Sequence, residues 1–446
     1  MSISKHDFDN DFIWGVSTSA YQIEGAHNID GKGLSIWDHF SNHTRKIKNR
    51  ENGNVACDFY HNYKHDVQLL KHLGIENFRM SISWPRILPN GVGEINQKGL
   101  DFYDRLIDEC LENNITPWLT LYHWDLPLAL EKKGGWTNRE IVNWFLNYTE
   151  LCVKKLGDRV NNWMVLNEPM VFTGAGYFLG VHAPGRRGLG NFLPALHHAA
   201  ICQAQGVKLI KDLLPNAHVG STISCSHITP LRSIEKDVKA SVMVDALLNR
   251  LFVEPLIGRG YPFKDLPFLN KIEKFMLPND EKLLKAPIDF LGIQNYTREV
   301  VKYSPFVPIL KSKIVKADER DVHRTAMNWE VSPFSIYKMI KKYSSYPEIK
   351  KIIVTENGAA FDDVVEGNSV NDSSRVKYLE RYLHSVHQAK QNGLKVDGYF
   401  LWTFLDNFEW AEGYSPRFGI VYNDFKTQQR IVKESGNWYR KFLTNL

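Results

Sequence analysis

Eight short apolar runs recur along this chain, each bounded by turn residues or a polar cluster, with longer amphipathic stretches between them. The runs are Phe12–Val16, Asn77–Ile82, Thr116–Leu121, Trp163–Asn167, His218–Ile223, Phe290–Tyr296, Lys351–Glu356 and Tyr399–Trp402, all rich in Val, Ile, Phe, Tyr or Trp. They read as strands. The stretches between them have helical spacing. Tyr60, Val67, Leu70 and Leu73 fall on one face before Gly74, a residue suited to the left-handed position that ends a helix. Further helices are expected over Leu100–Leu111, Ile141–Leu156, Leu196–Leu214, Ala240–Leu251, Phe334–Tyr343 and Arg375–Gln391, with Pro215 and Gly393 just beyond two of them. Strict alternation of this kind calls for a parallel sheet, and eight unbroken units predict an α/β chain closed into one (β/α)8 TIM barrel. Spread over eight units, 446 residues are long for a bare βα repeat, so several βα loops at the C-terminal face must be elaborated. The polar stretch Val301–Ser332 is read as such a loop rather than a domain boundary, because the alternation resumes directly after it. Residues 1–446 are therefore expected to form a single catalytic barrel domain.

Composition narrows the function classes. With 43% hydrophobic and 24% charged residues the chain is an ordinary globular protein. A net charge of +5 argues against a nucleic-acid partner. The basic run Arg45–Arg50 ends at Glu51, has no interleaved aromatics, and reads as a solvated loop. Five cysteines, at 57, 110, 152, 202 and 225, form no Cys-x-x-Cys pair, which disfavours a disulfide framework or structural zinc and suits a reducing compartment. The opening Met1–Asp7 lacks the apolar core of a signal peptide. The longest apolar stretch, Pro169–Val181, is 13 residues with three glycines, far short of a membrane span. A cytoplasmic protein with no membrane partner is expected. No phosphate-binding glycine loop or Gly-x-Ser-x-Gly occurs.

In a barrel the chemistry sits at the carboxyl ends of the strands. The fourth run ends Leu166-Asn167-Glu168-Pro169 and the seventh ends Val354-Thr355-Glu356-Asn357-Gly358, so each carries a carboxylate past an apolar strand and next to an amide. Strands four and seven face one another across the mouth of such a barrel. Two carboxylates there, without a metal motif, suit hydrolysis of a glycosidic bond. The bland alternative is two structural ion pairs. Around them stand groups fitted to sugars: Gln22, His123, Asn167 and Glu409 for hydroxyls, and Trp124, Trp402 and Trp410 for apolar ring faces. His61/His65 and His197-His198 are the obvious metal-ligand candidates. They lack a His-Glu-x-x-His setting, so no metal and no cofactor is expected.

Four motifs in order make the resemblance to glycoside hydrolase family 1, the β-glucosidase family. They are Phe12–Gly25 (Phe-Ile-Trp-Gly-Val-Ser-Thr-Ser-Ala-Tyr-Gln-Ile-Glu-Gly), Asn167-Glu168-Pro169, Ile353–Gly358, and Asp406–Trp410 with Gly413-Tyr414 and Arg417-Phe418-Gly419. The resemblance implies a retaining exo-acting β-glycosidase, foremost a β-glucosidase degrading substrates such as cellobiose, with a small-molecule β-glycoside as its partner. A β-galactosidase or β-fucosidase of the same mechanism, or a non-catalytic sugar-binding member, is the alternative. It further implies Glu168 as general acid/base, Glu356 as nucleophile, and Arg79 and Tyr296 as the groups that orient Glu356. Gln22, His123, Asn167, Glu409 and Trp410 would hold the terminal sugar, Trp402 would stack beneath it, Trp124 and Phe418 would line the same subsite, and Trp329 would border the leaving group. The family's Asn-Tyr-Tyr at the end of strand six is here Gln294-Asn295-Tyr296. A carboxylate at Glu409 would repel a sugar phosphate, favouring the unphosphorylated sugar.

Overall fold

The computed structural model describes residues 3–444; Met1, Ser2, Asn445 and Leu446, which end the expected 1–446 span, lie outside them. Ile13–Ser17 (β1), Asn77–Ser81 (β2), Thr116–Tyr122 (β3), Asn162–Asn167 (β4), His218–Ser224 (β5), Phe290–Gln294 (β6), Ile352–Asn357 (β7) and Val396–Trp402 (β8) close into a parallel barrel, β8 pairing back onto β1. Each run expected to be a strand is one. Closure leaves no unpaired sheet edge.

Helices cross from strand to strand: Phe59–His72 (α1), Gln97–Glu112 (α2), Ile141–Leu156 (α3), Leu189–Leu213 (α4), Glu235–Asp245 (α5), Phe334–Ser344 (α6), Ser373–Gln391 (α7) and, after β8, Glu434–Thr444 (α8). The expected stop of α1 is built as a Schellman motif. Gly74 sits at φ +70°, its N–H donates to the Lys71 carbonyl, and Ile75 N–H donates to that of Leu70. α4 begins seven residues before the expected Leu196, because Gly188, Gly190 and Pro194 read as breakers while tertiary packing carries the helix through Pro194. α5 also starts earlier than expected and runs on into a π-helical turn over Ala246–Arg250.

Two corrections concern the upper loops. Strand six stops at Gln294, not Tyr296, because Asn295 turns away and its Nδ2 donates to the Cys225 and Thr297 carbonyls. The stretch expected to be one irregular loop, Val301–Ser332, is partly sheet: Arg298–Tyr303 pairs with His227–Pro230 on one side and Ser312–Val315 on the other.

Inside the barrel, Trp118, Met164, Phe290, Ile353 and Phe400 form one buried cluster with Ile13 against it. Trp118 meets Phe400 at 5.2 Å and Phe290 at 5.7 Å between ring centroids, although their strands are not neighbours. These contacts therefore span the lumen and give the barrel a solid floor. Gly15 makes room for them, since a Cβ there would lie 2.5 Å from the Phe400 ring. Above the floor the interior turns polar, and the site lies there.

Candidate active site

The floor ends at Met164, and one turn of strand higher the chain offers Asn167 and Glu168. Glu168 leaves β4 in a left-handed conformation (φ +45°, ψ +62°), which Pro169 follows by opening the short helix Pro169–Thr173. Its N–H is held by the Thr222 carbonyl at 2.9 Å, fixing the kink to β5. Glu356 lies within β7, where the pairing to both neighbouring strands shifts register beyond Val354. Its exposure is 3% and that of Glu168 is 7%, so both carboxyls are withdrawn from bulk water.

Their surroundings differ. Arg79, fully buried on β2, donates from Nη1 to Glu356 Oε1, and Tyr296 donates its hydroxyl to Oε2 at 2.6 Å. The other arm of Arg79 donates to Asn167 Oδ1 at 2.5 Å, and its Nε lies 3.0 Å from the Met164 sulfur. Burial pushes Glu356 above the ordinary glutamate range, and Arg79 and Tyr296 oppose that push. Glu168 is raised well above that range by burial first and by the charge of Glu356 second, with only the Ser224 hydroxyl and a more distant effect of Arg79 opposing. A proton shared between the two carboxyls therefore rests on Glu168.

An amide network centred on Asn167 surrounds them. Asn167 Oδ1 accepts from Arg79, from Gln294 Nε2 at 2.7 Å and from Thr222 at 2.9 Å, while its Nδ2 lies 2.9 Å from His123 Nε2. Gln294, the departure at the end of strand six, thus still reaches the site through its longer arm. His123 is pushed well below its ordinary pKa by burial and by Arg79, so it is neutral. Its ring lies nearly parallel to Trp402 at 6.2 Å and to Trp410 at 5.9 Å.

The loop after β8 carries Glu409 and Trp410, and buried ions hold it. Asp406 accepts from Gly419 N–H at 2.8 Å, from Lys433 Nζ at 2.7 Å and from Arg417 at 3.1 Å. Lys433 also binds Asp363, which pairs with Arg375. From this anchor Asn407 accepts from Gln22 Nε2 at 3.0 Å, and the same nitrogen lies 3.5 Å from Glu409.

These groups surround a cavity of about 320 Å³, within the range of small-ligand sites. Of the residues singled out in the sequence, all but Gln22, Arg79 and Asn167 line it. Those three are fully buried and stand behind the wall, orienting Glu409, Glu356 and His123. The sequence did not point to His182, Ser224, Cys225, Glu299, Met327 or Glu412, which also line it. Ser224 ends β5 and Cys225 follows it, so their place at a strand end was the available signal. Tyr296, Trp329 and Phe418 pack together at one side, with centroids 5.2–6.2 Å apart.

One electrostatic expectation changes. Burial, with Glu356 and Glu412 nearby, pushes Glu409 up to about 8, so it is mostly protonated at neutral pH and repels a phosphate weakly by itself. The case against a phosphorylated sugar then rests on the lining, in which no lysine or arginine stands among the described residues to receive a phosphate. The histidines proposed as metal-ligand candidates have other partners. His197 bonds Tyr261 and Asp280, His198 bonds the Trp136 carbonyl, and His61 pairs with Asp58. No cluster of three or more ligand side chains occurs among the described residues.

The model of glycosyl hydrolase family 1 matches residues 4–446. The chain belongs to that family. It is 44% identical to "Beta-glucosidase A" of Thermotoga maritima, an alignment covering 100% of this chain and 99% of that one. It is 43% identical to the "1,4-beta-D-glucan glucohydrolase" of Thermotoga neapolitana, covering 98% of each. Among solved structures, the family 1 β-glucosidase from Thermotoga maritima superposes with a TM-score of 0.95 over 98% of both chains at 44% identity, and the same enzyme in complex with glucoimidazole with a TM-score of 0.93.

Proposed function

We propose that this family 1 chain is a retaining exo-β-glycosidase, foremost a β-glucosidase that releases β-D-glucose from the nonreducing end of oligosaccharides and aryl or alkyl glucosides. The observation that carries the reading is the asymmetry of the two buried glutamates: Glu356 is clamped by a guanidinium and a phenol, and Glu168 is left to hold the proton. Glu356 attacks the anomeric carbon while Glu168 protonates the departing oxygen, leaving a glycosyl ester on Glu356. Retention requires the two carboxyls about 5–5.5 Å apart, too close to admit a water between them. Once Glu356 is esterified its charge is gone, the second cause of the raised Glu168 pKa disappears, and Glu168 ionises to take a proton from the incoming water. That water releases the sugar with its configuration retained.

In this reading His123, Glu409 and Trp410 bind the hydroxyls of the terminal sugar, with Gln22 and Asn167 fixing them from behind. Trp402 stacks beneath the sugar, Trp124 and Phe418 complete the subsite, and Trp329 borders the leaving group. Arg79 and Tyr296 hold Glu356 in line and favour its anion. Residues 1–446 act as one catalytic domain, a reading supported by the Tyr439 hydroxyl on α8 donating to the Gly15 carbonyl at 3.1 Å. The five cysteines are all unpaired and buried, which supports a reducing, cytoplasmic setting; the substrates there would be soluble glucosides such as cellobiose.

The test is release of nitrophenol from a panel of para-nitrophenyl β-D-glycosides, with Glu356→Gln beside the wild type. Turnover of the β-glucoside, lost in the variant, supports the class and the nucleophile. Faster turnover of the galactoside or fucoside replaces the sugar assignment. An inert wild type with an intact circular dichroism spectrum leaves the sugar-binding reading in its place.

A further inference from the structure

A second cavity of about 280 Å³ adjoins the first, and Thr297, Glu299, Met327 and Trp329 belong to the walls of both. Its character is opposite. The first has five glutamates and no cation in its lining, whereas the second is lined by Arg298, Lys316 and Arg320, with Glu330 and Glu299 as its carboxyls. Glu330 is spent between the two arginines: Arg298 Nε donates to its Oε1 at 2.7 Å and Arg320 Nη1 to its Oε2. Arg320 also reaches the Lys316 carbonyl through Nε at 3.3 Å. A guanidinium has five N–H donors, so donors on both arginines remain after these bonds. The Lys316 amine has no carboxylate within ion-pair distance among the described residues, and Asp318 is the acid near enough to feel its charge. Burial pushes Glu299 up to about 7, with Arg320 opposing and Glu330 adding, so it withdraws part of its negative charge near neutrality.

The order of the two cavities gives this meaning. Trp329 stands on the boundary, in the wall of both cavities, and in the reading above it borders the leaving group. A leaving group long enough to pass Trp329 enters surroundings with excess positive charge and spare planar donors, which suit a carboxylate. We propose that the second cavity is a leaving-group subsite selective for β-glucosides whose aglycone carries a carboxylate, such as glucosides of aromatic acids, with Arg298, Lys316 and Arg320 as its specificity-determining residues. This rests on the β-glucosidase reading of the first cavity and adds to it the class of leaving group.

The test compares two β-D-glucosides of equal shape, those of 4-hydroxycinnamate and 4-hydroxycinnamamide, in wild type, Lys316→Gln and Lys316→Glu. The ratio of kcat/KM between the two substrates, compared across the proteins, cancels their difference in leaving-group acidity. One unit charge about 6 Å away in water-like surroundings is worth about threefold. The carboxylate:amide ratio is therefore expected to fall about threefold in Lys316→Gln and about tenfold in Lys316→Glu. In the wild type it is expected to fall as salt rises from about 0.01 M to about 1 M, where the screening length drops from about 30 Å to about 3 Å. A ratio indifferent to both the variants and the salt overturns the proposal while leaving the hydrolase intact. Inertness of the wild type on both glucosides while nitrophenyl β-glucoside is turned over overturns this inference alone, and inertness on all three overturns the β-glucosidase reading with it.

Discussion

Replacing Tyr296 by Phe removes one hydrogen atom's contact with Glu356 Oε2 and little else. The bond is 2.6 Å long and buried, and the ring itself stays packed against Trp329 at 5.2 Å. A hydrogen bond to a charged group contributes about 1.5–3 kcal/mol. Only the ionised Glu356 accepts it fully, so its loss weakens the anion by that amount, which is about one to two decades in proton affinity. The sign follows directly. Burial already raises Glu356, Tyr296 is one of the two groups opposing that rise, and without it protonation occurs at higher pH. In the pH dependence of kcat/KM the acid limb reports ionisation of the nucleophile and the alkaline limb loss of the proton from the acid. The two carboxyls titrate as a coupled pair, so the limbs belong to the pair rather than to either residue. Tyr296→Phe is expected to move the acid limb upward by about one to two pH units and to move the alkaline limb little, because Arg79 still holds the negative charge on Glu356. An acid limb that stays in place, or moves down, refutes the assignment of Tyr296 as the donor that keeps the nucleophile ionised.

Glu409→Gln should weaken glucoside turnover and stabilise the protein at alkaline pH. The native carboxyl holds its proton up to about 8, so folding stability declines as pH rises from about 4.5 toward 8, a decline the glutamine removes; a thermal-melt difference between the two proteins that does not grow across that window contradicts this. Lys433→Met should cost about 3–5 kcal/mol in a guanidinium unfolding titration, because Asp363 and Asp406 lose a fully buried partner; a loss under about 1 kcal/mol, typical of an exposed ion pair, would show the anchor of the Glu409 loop to be dispensable. Prolonged treatment with a chelator should leave kcat/KM on nitrophenyl β-glucoside unchanged, and its loss with recovery on adding a divalent metal would revive a metal-dependent reading.

The barrel was legible because its signal is local and repeated. Each strand is a short β-branched or aromatic run, and the ends of β4 and β7 advertise Glu168 and Glu356 through the same break from apolar to acidic. The departures lie where tertiary contacts outweigh local preference. α8 was missed because Glu434–Thr444 is short and mostly polar, and its buried positions, Tyr439, Phe442 and Leu443, make sense only against the barrel wall. The strand at Arg298–Tyr303 pairs with a segment about 70 residues earlier, a partner no local pattern reveals, and Ser312–Val315 then pairs onto it. For the site, the sequence named the chemistry and not the direction each side chain faces. Gln22 and Asn167 carry amides suited to hydroxyls, yet the fold turns them behind the wall and saturates them. Lys433, which anchors the Glu409 loop, stands outside every motif because its role depends on Asp363 and Asp406, which come from two distant loops.

The most direct test of the account is to trap the intermediate. Incubation with an activated 2-deoxy-2-fluoro-β-glucoside, which slows hydrolysis of the glycosyl ester more than its formation, should inactivate the enzyme and add one fluoroglucosyl group by intact mass spectrometry. Peptide mapping should place that group on Glu356. A label on Glu168 or elsewhere would contradict the assignment of roles, and turnover of the native substrate without any trapped ester and with α-glucose released first would contradict the double displacement itself.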